Sequence, residues 1–267
     1  MTSLVQPLRV VAYSARNAAA DFAATYTWKS WTFGWVGRML SQVVFFTLAG
    51  QVLGSPGHSQ ARFIGNSVMT CVIESMMVVA SSVWERRAGT LPLLVASPAE
   101  LAPVFFGRSL QWIASGVATS SVALLALGPL FGLHWSAAQI PAVIILQLLT
   151  AVASYCFGLV LSVLVLNAAQ LRNIASNVAY LAMMTFCGIQ VPVDYWPGPI
   201  RLLAEAMPVT YGNRAMTALA AGSPAGQVWR PAAAVVLVGA VWLGIAVLAF
   251  HFFAERGRRD GSLEFGQ

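Results

Sequence analysis

The chain has 267 residues, 58% of them hydrophobic and 9% charged, with a formal net charge of +6. Soluble domains carry about 25% charged residues, so a chain this long and this apolar has the bilayer as its solvent. The basic residues lie in short segments between apolar runs and form no single patch, which points to membrane topology and against nucleic acid as a partner.

The pattern predicts an all-α polytopic membrane protein. An N-terminal segment (1–33) precedes six transmembrane helices within 34–254, at 34–53, 63–83, 103–130, 139–166, 173–193 and 231–254, and a short tail (255–267) follows. Residues 1–33 are too polar to span, and they lack the apolar core and small-residue cleavage site of a signal peptide. Phe22, Tyr26, Trp28, Trp31, Phe33 and Trp35, interleaved with Asp21 and Lys29, suit an interfacial amphipathic helix lying in the headgroup layer. An aromatic belt leading into the first span accounts for the last three equally well.

Helix two holds 21 residues between Arg62 and Trp84, about 31 Å at 1.5 Å per residue, enough for the hydrocarbon core. No charged residue occurs between Arg108 and Arg172; that run is too long for one span and divides at Gly132-Leu-His-Trp-Ser. Arginine and lysine set the orientation. With the N-terminus inside, the cytoplasmic side takes Arg9, Arg16, Lys29, Arg38, Arg86, Arg87, Arg172, Arg256, Arg258 and Arg259, while the outside keeps Arg62, Arg201, Arg214 and Arg230. Both termini and the connection between helices two and three are then cytoplasmic.

That connection, Trp84-Glu-Arg-Arg-Ala-Gly-Thr-Leu-Pro-Leu-Leu-Val-Ala-Ser-Pro98, is far longer and more charged than a helical hairpin needs. A charged head (Glu85, Arg86, Arg87) and an apolar tail (Leu91, Leu93, Leu94, Val95) describe a short helix at the membrane surface, offered to something outside it. The bland reading is a basic turn that only satisfies topology. A second irregular stretch, 188–230, ends helix five with Pro192, Pro197 and Pro199 and then alternates short amphipathic pieces. It reads as a re-entrant hairpin, or as a plain exofacial loop with aromatic anchors.

Chemistry of its own is missing from the chain. Lys29 is the only lysine and no GxxxxGK[ST] is present, so the chain forms no phosphate cradle of the Walker type. HExxH and GxSxG are absent too. Cys71, Cys156 and Cys187 stand apart in apolar runs, and His58, His134 and His251 are isolated, so neither disulfide nor metal site is expected. The sequence therefore reads as a non-enzyme that binds no cofactor or metal. One ionisable group lies deep in a span: Glu74, in helix two. Arg108 falls at a similar depth in helix three, so the two are expected to pair as a brace; a polar contact for substrate is the alternative use of Glu74.

Two motifs in order carry a resemblance. Glu85-Arg86-Arg87-Ala88-Gly89-Thr90-Leu91 followed by Ala96-Ser97-Pro98 is one; Ile189-Gln190-Val191-Pro192 followed by Met207-Pro208-Val209-Thr210-Tyr211-Gly212 is the other. Together they resemble the membrane permease subunits of type-2 ATP-binding-cassette exporters, nearest to the drug, lipid and natural-product branch. The resemblance implies that 84–98 is a coupling helix docked in a separate ABC ATPase subunit, through Glu85, Arg86, Arg87, Gly89, Thr90, Leu91, Leu93, Ser97 and Pro98. ATP and Mg would be bound by that ATPase alone. It also implies a second permease chain, identical or related, and an exofacial re-entrant cap containing Pro192, Trp196, Pro197, Pro208 and Tyr211. The function implied is ATP-driven export of an amphipathic small molecule or lipid across a bacterial inner membrane. A stand-alone secondary carrier, or a docking and assembly protein with no transport path, are the rival readings. The first predicts inverted repeats and midplane charge chains, and neither is evident.

Overall fold

In the computed structural model the described residues are 5–52, 59–87, 93–94, 101–166 and 169–260, and all regular structure among them is helical. Helix α1 (Val5–Thr25) leads through a π-helical stretch (Ser30–Val36) into α2 (Gly37–Val52). Helices α3 (Ser59–Ser75) and α4 (Val78–Arg87) form one rod tightened at Met76–Met77, where the Met77 amide bonds back only to the Glu74 carbonyl. Then come α5 (Leu101–Arg108), α6 (Gln111–Val122), α7 (Ile140–Leu166), α8 (Arg172–Phe186), α9 (Gly198–Glu205), α10 (Pro208–Ala220) and α11 (Ala225–Asp260).

Among the described residues four helices are long and apolar enough to cross a membrane: Ser59–Ser82, Gln111–Phe131, Ile140–Leu166 and Ala225–Arg256. They match the second, third, fourth and sixth expected spans. The other two expected spans are less regular. The first is split between π and α geometry and carries Arg38, Gln42 and Gln51, which dilute its apolar character. The fifth stops at Phe186 after 15 residues, short of the expected 193. Gly188 takes φ +82°, a left-handed conformation that ends a helix without the Cβ penalty other residues would meet.

Expected helix three is also broken, at Ser109–Leu110. The Leu110 amide reaches only the Gly107 carbonyl at 3.4 Å, so carbonyls one turn earlier lose their helical donors. Tyr155, fully buried on α7, supplies the replacement: its hydroxyl donates to the Phe106 carbonyl at 2.7 Å and lies 3.2 Å from that of Phe105. A helix break inside a bilayer is tolerated only when the freed backbone groups find such partners. Further on, Trp135 Nε1 donates to the Leu124 carbonyl within the π-helical turn Ala123–Leu127. Gly132, at φ +74°, then closes the helix at the division expected from sequence.

Helix α7 is the hub. It packs against α3, α4, α6, α10 and α11, and small residues set the spacing. On α7, Gly158 faces Val78 of α4, and Ala153 faces Gly239 of α11; a Cβ on either glycine would stand 2.7 Å from its neighbour. Thr150 sits against Gly212 of α10. Lipid tails are as apolar as leucine, so helices in a bilayer associate through close backbone approach and polar contacts more than through burial of apolar area. Burial ranks the spans accordingly: 83% of an 18-residue apolar stretch of Ser59–Ser82 is buried, against 22% for that of Ala225–Arg256, which turns Leu237, Val241, Leu248 and Phe252 outward.

Gly239→Ala is expected to destabilise the purified protein by about 1–3 kcal/mol, because its new methyl meets Ala153. Gly244→Ala, five residues along the same helix and facing open space, is expected to be neutral or stabilising by up to about 1 kcal/mol. Thermal unfolding of both variants in one detergent reads the contrast.

Candidate functional site: two ends of a helical rod

The α3–α4 rod connects the features singled out by sequence. At its C-terminal end Glu85, Arg86 and Arg87 form the last turn of α4. Gly89, Thr90, Leu91, Ser97 and Pro98 lie outside the described residues, so the expected coupling helix is described only at its edges. Leu93 and Leu94 are helical: Leu93 leaves 64% of its surface exposed, and Leu94 packs on the cluster of Val79, Phe105, Leu166 and Phe250.

The segment returns to the core through α5, whose main partner is α1. Gly107 lets the two backbones touch, since a Cβ there would sit 2.7 Å from Ser14 Cβ and 3.0 Å from Val11 Cα. The next residue, Arg108, pairs with Asp21 of α1 at 3.3 Å. Both groups are partly exposed, so the pair sets register more than it adds stability.

This pairing corrects the expected brace. Among the described residues no ion pair joins Glu74 to Arg108; the break at Ser109–Leu110 leaves Arg108 on α5, against α1, while α6 is the helix that packs on α3. Glu74 is fully buried, and its Oε2 accepts a hydrogen bond from Ser115 Oγ of α6 at 2.5 Å. Ser115 Oγ in turn accepts from Trp31 Nε1 at 3.0 Å. Gly116 admits this contact, its hydrogen pointing at the Cys71 carbonyl and Glu74 Cβ. Around the group lies an aromatic cluster. Trp112 is fully buried, with Phe22, Tyr26 and Trp35 at ring centroid distances of 5.7, 6.3 and 5.6 Å, and its Nε1 donates to Ser81. The N-terminal aromatics expected at the membrane interface are thus partly spent on protein contacts. Sequence reading missed Ser115, Trp112 and Tyr155. Their only signal was the rarity of hydroxyls and indoles deep in a span, where each must find a partner.

Two of the cavities among the described residues flank the rod. One, of about 370 Å³, lies between α2, α3–α4 and α8. Met69, Ile73, Met76 and Met77 form its apolar wall, and Arg38, Arg172, Asn173 and Asn177 its polar one. Gln42 closes one side by donating to the Tyr180 hydroxyl at 2.7 Å. Arg38 also rides over the Trp35 ring at 5.6 Å, linking this cavity to the aromatic cluster.

The other cavity, of about 500 Å³, is at the N-terminal end of the rod, between Arg62, the 187–194 turn and α10. The structure assembles this end tightly. Gln190 Nε2 donates to Asn66 Oδ1 at 3.0 Å and Asn213 Nδ2 to the Gly188 carbonyl at 2.8 Å, while Gly65 lies against the Ile189 backbone. Of the expected cap residues, Pro192 lines the cavity, and Pro208 is the buried first residue of α10. Trp196 stacks edge-on against Phe186, Pro197 precedes α9, and Tyr211 lies under the Arg214 guanidinium. Thr210 ties α10 back to the Ala204 carbonyl of α9, and Trp242 Nε1 of α11 donates to the Ala206 carbonyl between them.

The ABC-2 type transporter family model matches residues 20–220, which runs from the end of α1 through the 84–98 segment to the last residue of α10. The chain belongs to the ABC-2 type transporter family. It is therefore a multi-pass membrane permease, the transmembrane subunit of an ABC transporter, in a family that works with an ATPase subunit and is not itself catalytic. No curated protein matches this chain.

Ser115→Ala removes the donor to Glu74 and the acceptor of Trp31 together. It is expected to cost about 1–3 kcal/mol, because Glu74 stays fully buried and Trp31 partly so. The yield of monodisperse protein and its thermal midpoint report the loss; a variant as stable as the parent shows that the Glu74 contact braces nothing.

Proposed function

We propose that this permease exports an amphipathic small molecule or lipid, driven by ATP hydrolysis on a separate subunit that docks on the 84–98 segment. The observation that carries this reading is the family match, which runs through that segment and through the 188–212 region. The excess of arginine on one side of the expected spans supports an orientation with both termini in the cytoplasm of a bacterial cell. In this reading the chain crosses six times, with α2 and α8 completing the four long spans. It works beside a second permease chain, a copy or a relative, and the α9–α10 pair forms the outer cap.

The 370 Å³ cavity suits the entry of such a cargo. It lies alongside the half of the rod nearest the docking segment, and its methionines give an adaptable apolar wall. Its two arginines and its asparagines hold a polar head. ATP-driven closure of the two ATPase subunits would move the docked segments as rigid bodies, and the rods with them. The proposed division of labour at the dock is a leucine plug for anchorage and Glu85, Arg86 and Arg87 for register.

In proteoliposomes containing the permease and its ATPase, Leu91→Ala and Arg87→Ala are each expected to reduce transport-coupled ATP hydrolysis by roughly tenfold, the size of a single interface anchor. The ATPase should also co-purify less well with Leu91→Ala. Hydrolysis and co-purification equal to the parent in both variants would overturn the coupling assignment.

A further inference from the structure

The 500 Å³ cavity has a charge balance that the export reading does not use. Arg62 and Arg214 line it together with one acid, Asp194. That acid already has a cation: Arg201, outside the lining, pairs with Asp194 at 3.4 Å and with Glu205 at 3.4 Å. Arg214 is held only loosely, 3.9 Å from the same Glu205 oxygen and 5.5 Å over the Tyr211 ring. Arg62 is half-buried, and its hydrogen bond goes to a neutral group, the Gly50 carbonyl. Among the described residues no carboxylate lies within ion-pair distance of Arg62.

Three guanidiniums (Arg62, Arg201 and Arg214) share two carboxylates (Asp194 and Glu205), so the preformed cavity keeps one cation in excess, which favours a ligand that brings negative charge. Guanidinium forks match the planar oxygens of phosphate and carboxylate. Further donors are present in Thr217 and Ser223, while Ile189, Val193 and Ala218 form an apolar wall beside them. A volume of about 500 Å³ is in the range of small-molecule sites, about 300–1,000 Å³, and is larger than a bare oxyanion fills. The walls are fixed in advance by the Gln190–Asn66 and Asn213–Gly188 hydrogen bonds, which lowers the cost of binding. The site is also far from the docking segment: Arg62 and Trp84 lie at opposite ends of the rod, about 33 Å apart along it.

We propose that this cavity binds the oxyanion head of an amphiphile, with Arg62 and Arg214 on the head and Ile189, Val193 and Ala218 against the adjoining chain. The amphiphile is either cargo on its way out or a resident anionic lipid of the outer leaflet. Its assignment as cargo rests on the export reading; the binding site itself does not.

The test uses the full chain, without ATPase, in phosphatidylcholine nanodiscs, titrated calorimetrically with dodecyl phosphate. Saturable binding is expected. Arg62→Gln and Arg214→Gln should each weaken it roughly tenfold or more, the size of a lost charge-assisted bond, and Arg62→Lys should weaken it less. Ala218→Phe, which fills the cavity and leaves both guanidiniums, should abolish it; this variant keeps the test decisive if loss of the Arg62–Gly50 contact disturbs the fold. Neutral dodecyl maltoside should not compete. Nanodiscs containing phosphatidylglycerol separate the sources: competition by that lipid identifies a resident lipid, and undiminished dodecyl phosphate binding identifies a cargo site. Unchanged affinity in Arg214→Gln and Ala218→Phe overturns the proposal, as does equal competition by dodecyl maltoside. Inorganic phosphate competing as strongly as dodecyl phosphate overturns the amphiphile and leaves a small-anion site. Because no ATPase is present, failure here is distinct from failure of the coupling assignment.

Discussion

The structure depends on how closely other helices approach α7. Within a bilayer, apolar side chains gain little by meeting each other instead of lipid, so association relies on van der Waals contact between backbones and on the few polar groups that need partners. Helix α7 meets this constraint with small residues placed one or two turns apart. Gly158 receives α4, Ala153 receives Gly239 of α11, and Thr150 receives Gly212 of α10. These three contacts position the rod, the peripheral helix α11 and helix α10 around a single axis. The cavities described above are the spaces left between elements whose spacing was decided there.

The polar residues follow the same economy of partners. Tyr155 is buried because the break between α5 and α6 leaves carbonyls that require a donor. Glu74 is buried beside Ser115, which also receives Trp31. One serine hydroxyl therefore joins the N-terminal aromatic segment, α6 and the rod. Arg108, released from the role of brace, ties α1 to α5 next to the 84–98 segment. The N-terminal region is thus integrated with the helical domain at two points, both near the end where an ATPase is proposed to act.

The rod itself, residues 59–87, is about 43 Å long at helical rise. It carries Arg62 at one cavity, Met69 through Met77 at the other, and Glu85–Arg87 at its C-terminal end. If the proposed docking segment and the proposed binding cavity are at its ends, such an element is suited to carry displacement between them, since helices move as bodies and do not stretch. The tightened turn at Met76–Met77, beside the buried Glu74, is where such a body would flex.

Much of this was legible without coordinates. Hydropathy and charge spacing placed four long helices, the division at Gly132, the end of α7 and the proline-marked entry to α10, because each is dictated locally by side-chain polarity or by backbone chemistry at glycine and proline. The length of α8 was overestimated: apolar character continues past Cys187, but the left-handed Gly188 does not let the helix follow it. The Glu74 partner was misread because depth along two ideal helices was taken as proximity, and one of those helices is broken. Which small residues face which neighbour, how Arg62, Arg214 and Asn213 gather around one cavity from segments up to about 150 residues apart, and why Trp112 is buried were decided by tertiary structure alone. Composition determines that a helix lies in a membrane; only its neighbours determine which of its faces must be close-packed, hydrogen-bonded or left open, because those energies belong to pairs of surfaces and not to either sequence segment by itself.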